Sequence, residues 1–128
     1  HAHATHAASD FRKFAHIEAY SYDNLPDYTA SINDDGWDGS TARWLAASNY
    51  SPNDALLVFS VGGTSDRTSA NLRWALSHAK GTTILGITGQ GGTMAEQGYA
   101  TVQLVLNADT FQTESLQAVI AHCLVACL

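Results

Sequence analysis

Two pairs of side chains that could do chemistry lie on the first and last predicted helices of the chain. His6 and Asp10 are four residues apart, so they share one face of an alanine-rich N-terminal helix. Glu114 and His122 are eight residues apart, a little over two turns, on roughly one side of a C-terminal helix. Imidazoles and carboxylates can transfer protons or bind a divalent cation. For Glu114 or His122 taken alone, one hydrogen bond to the backbone is the simpler explanation.

A second candidate site is a loop rich in glycine and hydroxyl groups, Ser60-Val61-Gly62-Gly63-Thr64-Ser65. It follows an apolar run, residues 55–61, that predicts a strand buried on both faces of a parallel sheet. The next helix begins near Ser69, a suitable N-cap. Backbone N–H groups and the helix dipole at such a junction favour an anion, and glycine lets the backbone approach it. A phosphate ester fits this loop, and a plain strand-to-helix turn explains its glycines equally well.

Composition restricts the class of protein. The 128 residues, 45% hydrophobic and 14% charged, predict one soluble globular domain. A net charge of -6 with six scattered basic residues argues against a nucleic-acid partner. No apolar run reaches the roughly 20 residues of a membrane span, and we expect a cytoplasmic protein without a membrane partner. Cys123 and Cys127 are too few for a disulfide scaffold, and we expect them to be buried.

Alternating strands and helices predict an α/β fold with a doubly wound parallel sheet. Ligands of such sheets bind outside the carboxyl ends of the strands, where this loop and a second glycine turn, residues 88–92, both lie. The last helix is apolar nearly all round, which predicts burial. The predicted strands are residues 17–22, 55–61, 82–87 and 101–106, and the predicted helices are residues 1–14, 27–32, 39–49, 69–80, 93–97 and 110–128.

Several blocks of sequence, in order, resemble the sugar isomerase (SIS) domain, and within that family the phosphoheptose isomerases. The resemblance implies one flavodoxin-like SIS domain over residues 1–128. It also predicts that the family's N-terminal helix, first strand and first phosphate loop are missing before His1. The blocks are Ala4–Phe11, Ala30–Trp37, Phe59–Gly63 with Ser69–Leu72, Ile87–Ala95 and Thr113–His122, and together they cover nearly the whole chain.

The resemblance implies a phosphosugar isomerase that interconverts an aldose and a ketose, such as sedoheptulose 7-phosphate and a heptose 7-phosphate. It implies that His6, Asp10, Glu114 and His122 converge on a divalent metal, and two imidazoles with two carboxylates suit zinc. Asp10 and His122 are the acid–base candidates, and each could be a ligand instead. The resemblance assigns Asp34 to a sugar hydroxyl, and to the phosphate it assigns Ser60, Gly62, Gly63, Thr64, Ser65 and Ser69.

Departures from the family pattern leave a second class of function open. Val61-Gly62-Gly63 stands where the enzymes have Thr-Ser-Gly, Asp10 where they usually have Glu, and Glu114 where they usually have Gln. The alternative is a non-catalytic SIS module that binds a sugar phosphate as a regulatory ligand or acts as a scaffold for protein association. In either case the resemblance implies a homo-oligomer, a tetramer.

Overall fold

The structure is a computed structural model that describes residues 2–63, 70–79 and 81–128. Three strands form a parallel sheet in which the spatial order of the strands follows the sequence, with helices on both faces of the sheet. The predicted α/β fold with a helix-flanked parallel sheet is therefore confirmed. The elements within the described ranges are α1 (Ala2–Phe14), α2 (Leu25–Ala47), β1 (Ala55–Ser60), α3 (Ala70–His78), β2 (Thr83–Thr88), β3 (Val102–Val105) and α4 (Thr110–Ala126).

The register of the sheet aligns the carboxyl ends of all three strands. Ser60 at the end of β1 lies opposite Thr88 at the end of β2, and Thr88 lies opposite Val105 at the end of β3. The first glycine loop continues directly from Ser60, and the second continues from Thr88. The two loops are therefore neighbours at one edge of the sheet, which is where a parallel α/β sheet binds ligands.

The faces of the sheet follow from the alternation of side chains along β1. Leu56 and Val58 pack against a buried cluster that includes Leu45 of α2 and Leu76 of α3. Phe59 points to the opposite face, where its ring centroid lies 6.3 Å from that of His3 on α1. Thus α2 and α3 cover one face, while α1 and α4, which pack on each other, cover the other.

Helix α2 joins the two helices that the sequence predicts on either side of a polar turn. The break between them is confined to Gly36, which has φ 73° and ψ 170°. Side-chain-bearing residues rarely adopt this conformation, so glycine allows the axis to change direction within one residue. None of the helices in the described ranges combines the length and hydropathy that crossing a bilayer requires.

Two predicted elements are wrong. Residues 17–22 form no strand, because they pair with no other strand in the described structure; Tyr22 instead stacks on Trp44 with ring centroids 5.0 Å apart. Residues 93–97 form turns rather than a helix. Met94 within them is fully buried in the core cluster, so packing against the sheet overrides the local helical preference.

The last helix also differs from its prediction. The buried residues of α4 are Thr113, Gln117, Ala121 and Val125, which recur every fourth position and therefore form one face. The opposite side exposes Leu116, Val119 and both cysteines, so the predicted burial of Cys123 and Cys127 is wrong. In the described structure, α4 packs against α1 and one face of the sheet. These cover one side of the helix, so the apolar residues on its other side stay exposed.

Candidate metal centre and phosphate loop

Close packing of α1 and α4 brings residues from the two ends of the chain together. The contact is lined by small buried side chains, Ala7 and Ala8 on α1 and Ala121 on α4. Small side chains at a helix–helix contact allow a short distance between the axes. The histidine next to Ala121, His122, therefore reaches the polar stripe on α1.

Three side-chain atoms meet at this helix contact. The Nε2 atom of His6 lies 3.1 Å from the Nε2 atom of His122. The Oδ2 atom of Asp10 lies 3.2 Å from Nε2 of His6 and 3.4 Å from Nε2 of His122. At such separations the nitrogen and oxygen lone pairs repel unless a proton or a cation lies between them, so the three atoms either share hydrogen bonds or bind a cation.

The size of this triangle fits a small tetrahedral cation. Ligand bonds of about 2.0–2.1 Å to zinc place two ligands of a tetrahedron about 3.3–3.4 Å apart, close to the three distances in the cluster. Two imidazole nitrogens also favour zinc over calcium or magnesium, which prefer oxygen ligands. The three residues form a group whose ligand atoms all lie within 4.8 Å of one another. The cluster can therefore bind a divalent metal.

Exposure distinguishes the two kinds of ligand. The side chains of His6 and His122 are 64% and 56% exposed, whereas that of Asp10 is only 16% exposed. The carboxylate thus lies at the base of the cluster, and the two rings border solvent. Three protein ligands with an open side are typical of catalytic rather than structural zinc sites.

The first glycine loop is compact in the part that the structure describes. The Oγ atom of Ser60 donates a hydrogen bond of 3.2 Å to the carbonyl oxygen of Gly63. Gly63 has φ +59°, and a Cβ atom there would lie 2.7 Å from Cα of Gly92, so only glycine fits at this contact. The predicted phosphate ligands Thr64, Ser65 and Ser69 lie outside the described residues.

The solved structures that are similar to this chain include two phosphoheptose isomerases, each matched along nearly the whole of this chain, whereas its sequence matches no protein-family model and no curated protein. The structure of phosphoheptose isomerase GmhA from Neisseria gonorrhoeae is 23% identical, with a TM-score of 0.78 over 98% of this chain and 68% of that chain. A phosphoheptose isomerase from Francisella tularensis is 24% identical, with a TM-score of 0.74 over 97% of this chain and 69% of that chain. The fold is that of the phosphoheptose isomerases. The expectation drawn from the sequence blocks is thus confirmed at the level of the fold.

Two residues predicted from the phosphoheptose isomerase resemblance lie apart from the cluster. Glu114 is exposed on α4, and eight residues of helix place it about 12 Å along the axis from His122. Because side chains lean toward the N-terminus of their helix, Glu114 leans away from His122. Asp34 is exposed on α2, across the sheet from α1, where its Oδ1 atom accepts a 3.0 Å hydrogen bond from Asn33. Their roles as metal ligand and sugar ligand stay predictions.

The structure also adds residues that the sequence reasoning missed. His3, which received no role, lies on α1 one turn before His6, beside the end of β1. Gln103 on β3 bonds to the side chain of Thr88 and to the backbone N–H of Ala95, which are the two ends of the second glycine loop when the turn at 88–92 is extended to residue 95. The available signal was weak: Gln103 is the one amide in the apolar strand predicted over residues 101–106.

Proposed function

We propose that the protein is a metal-dependent phosphosugar isomerase that interconverts an aldose phosphate and a ketose phosphate. Sedoheptulose 7-phosphate and a heptose 7-phosphate are the proposed substrate pair. The observation that carries the proposal is the triangle of His6, Asp10 and His122 in a chain with the phosphoheptose isomerase fold. The fold alone does not specify a reaction, whereas this cluster supplies the groups that one needs.

The donor atoms of the cluster fit a divalent cation, and zinc is the proposed metal. His6 and His122 would supply nitrogen ligands and Asp10 an oxygen ligand. When bound, such a cation polarises a carbonyl oxygen of the substrate. Glu114 remains the proposed fourth ligand, which requires its side chain to turn toward His122.

The isomerisation requires an acid and a base. A base removes the proton from the carbon next to the carbonyl group, and an acid protonates the carbonyl oxygen, which gives an enediol; the reverse transfers at the neighbouring positions complete the reaction. Asp10 and His122 are the proposed pair. Each of them takes this role in place of metal ligation, because their 3.4 Å contact joins the same Nε2 and Oδ2 atoms that would otherwise bind the cation.

The phosphate group is assigned to the first glycine loop, from Ser60 to Ser69, which joins β1 to α3. Its support is the position of Gly62 and Gly63 at the carboxyl edge of the sheet, where free backbone N–H groups bind anions. Asp34 is the proposed ligand of a sugar hydroxyl.

One observation favours the alternative of a non-catalytic SIS module that binds a sugar phosphate as a regulatory ligand or acts as a scaffold. Ser60 is the only hydroxyl side chain in the described part of the first glycine loop, and it already donates to Gly63. Within residues 60–63, only backbone N–H groups therefore remain to bind a phosphate group.

We also propose self-association, with a homotetramer as the expected state. The support is the exposed side of α4, which carries Leu116 at 41% and Val119 at 55% exposure beside the two cysteines. A contiguous apolar surface of this kind marks an interaction site.

A coupled assay for heptose 7-phosphate formation, run beside a thermal-shift titration with sedoheptulose 7-phosphate, tests the function. We expect turnover by the zinc-loaded protein and loss of turnover in Asp10→Asn. Asp38→Asn, which removes an exposed carboxylate on α2, is the matched control and keeps activity. A rise in Tm without turnover would select the non-catalytic module that binds a sugar phosphate. If neither response occurs, both the isomerase and the regulatory-ligand function are refuted, and only the scaffold remains.

A further inference from the structure

Gln103 holds the second glycine loop, residues 88–95, through both ends of its amide group. Its Nε2 atom donates a 2.7 Å hydrogen bond to Oγ1 of Thr88, the last residue of β2. Its Oε1 atom accepts a 2.7 Å hydrogen bond from the backbone N–H of Ala95, at the far end of the loop. One side chain therefore fixes the distance between the two ends of the loop.

Gly92 transmits this constraint. A Cβ atom at Gly92 would lie 2.7 Å from Cβ of Thr88 and 2.8 Å from Nε2 of Gln103, so its backbone rests directly on the bonded pair. On its other side, Cα of Gly92 contacts Gly63 so closely that a Cβ atom on Gly63 would lie 2.7 Å away. Closely packed groups of this kind pass on displacement rather than absorb it.

A second connection joins the backbones of the two loops. The N–H of Gly89 donates to the carbonyl oxygens of Ser60 and Val61, at 3.3 and 3.0 Å. Thr88, which precedes Gly89, is fully buried, so its side chain cannot move without displacing its neighbours. The position of the first loop thus depends on the second loop at two separate points.

We propose that Gln103 is a positioning residue for residues 60–63, the described part of the first glycine loop, acting through Thr88 and Gly92 without touching the ligand. The proposal rests on the proposed function, because it takes that loop to be the phosphate site. Loss of the amide group lets the second loop relax, and Gly63 and the Ser60 carbonyl lose the surface that holds them. Removal of the Gln103 amide therefore lowers the affinity for a sugar phosphate, although Gln103 lies on β3 at the edge of the described sheet.

The test compares Gln103→Leu with Thr101→Val. Thr101 directly precedes β3, at the end of the strand that lies away from the glycine loops. Its Oγ1 atom accepts a 3.0 Å hydrogen bond from the N–H of Ile84. Thr101→Val thus removes a hydrogen bond of the same sheet, away from both glycine loops. Thr88→Val and Thr88→Ser form a milder pair, since only the serine variant keeps the hydroxyl that Gln103 requires.

Two readouts are used: isothermal titration with sedoheptulose 7-phosphate, and hydrogen exchange of the Gly89 amide. We expect Gln103→Leu to raise Kd about tenfold, because small misplacements of a binding group carry large penalties, and to speed exchange at Gly89. Thr88→Val should also raise Kd and speed exchange at Gly89, whereas Thr88→Ser should leave both close to their wild-type values. Thr101→Val lowers Tm but changes neither readout.

Equal effects of Gln103→Leu and Thr101→Val on Kd would overturn the proposal, as would unchanged exchange at Gly89. Faster exchange with unaltered Kd would refute the link to binding. If the wild type binds no sugar phosphate, the proposed function of the loop fails, while exchange at Gly89 still decides whether Gln103 couples the two loops.

Discussion

Zinc should connect the two ends of the chain, because His6 and His122 are 116 positions apart in sequence. The unfolded chain holds no preformed site, so the metal binds chiefly the folded state and stabilises it. The perturbation is addition of zinc to the metal-free protein, followed by the same experiment on His122→Ala. Removing this ring leaves His6 and Asp10 as two ligands on one helix, which no longer joins α1 to α4.

The magnitude follows from mass action. At free zinc one hundred times the dissociation constant, the native state gains about 2.7 kcal/mol. For a chain of this size the gain corresponds to a rise in Tm of about 10 °C. His122→Ala itself changes the metal-free protein little, because its ring is 56% exposed and partly exposed ion pairs contribute less than about 1 kcal/mol.

Differential scanning fluorimetry with zinc and then with a chelator measures both quantities. His16→Asn is the matched control, because His16 is exposed outside the cluster and its φ of 56° is one that asparagine tolerates. The wild type and His16→Asn should show the zinc-dependent rise, and His122→Ala should not. An equal rise in all three proteins would refute the assignment of the site, and no rise in any of them would refute the metal centre.

Three further predictions follow from other parts of the fold. Gly63→Ala should lower the free energy of unfolding in urea by more than about 1 kcal/mol, because of its positive φ and its contact with Gly92; an unchanged midpoint would contradict that packing. Val119→Glu should convert an oligomer to a monomer in light scattering, whereas a monomeric wild type would refute the proposed interface. Asp109→Ala removes the capping box of α4 and should lower stability by about 1 kcal/mol without changing the zinc response; a lost zinc response would mean that α4 needs this cap to present His122.

The elements that sequence patterns predicted correctly are those whose pattern is local. The apolar run 55–61 matches β1 at Ala55–Ser60 to within one residue, because a strand with helices on both of its faces favours apolar side chains along its length. The predicted burial on both faces is wrong: Ala55 is exposed and the rest of β1 is only half-buried. The predicted strand at residues 17–22 is wrong because a strand forms only when it pairs with another strand, and alternation along one segment does not show whether such a partner exists. Residues 93–97 failed because burial of Met94 outweighs local propensity.

In the candidate site, too, the local features could be predicted from the sequence and the contacts between distant segments could not. The helical period alone predicts that His6 and Asp10 share a face, and the structure places both in the cluster. Their convergence with His122 came only from the family resemblance, since no local pattern relates residues on different helices. Gln103 had only a weak sequence signal, as the one amide in an apolar predicted strand, because its contacts are to two partners that the chain brings together only after folding.

The most direct test of the central claim is X-ray absorption at the zinc edge of the zinc-loaded protein, with the metal content measured on the same sample. The exposed Cys123 and Cys127 are the natural competitors, because thiolates also bind zinc. We predict one zinc per chain with nitrogen and oxygen ligands at about 2.0–2.1 Å, lost in His122→Ala. A sulfur shell at about 2.3 Å, or a protein that retains no zinc, would contradict a metal centre built from His6, Asp10 and His122.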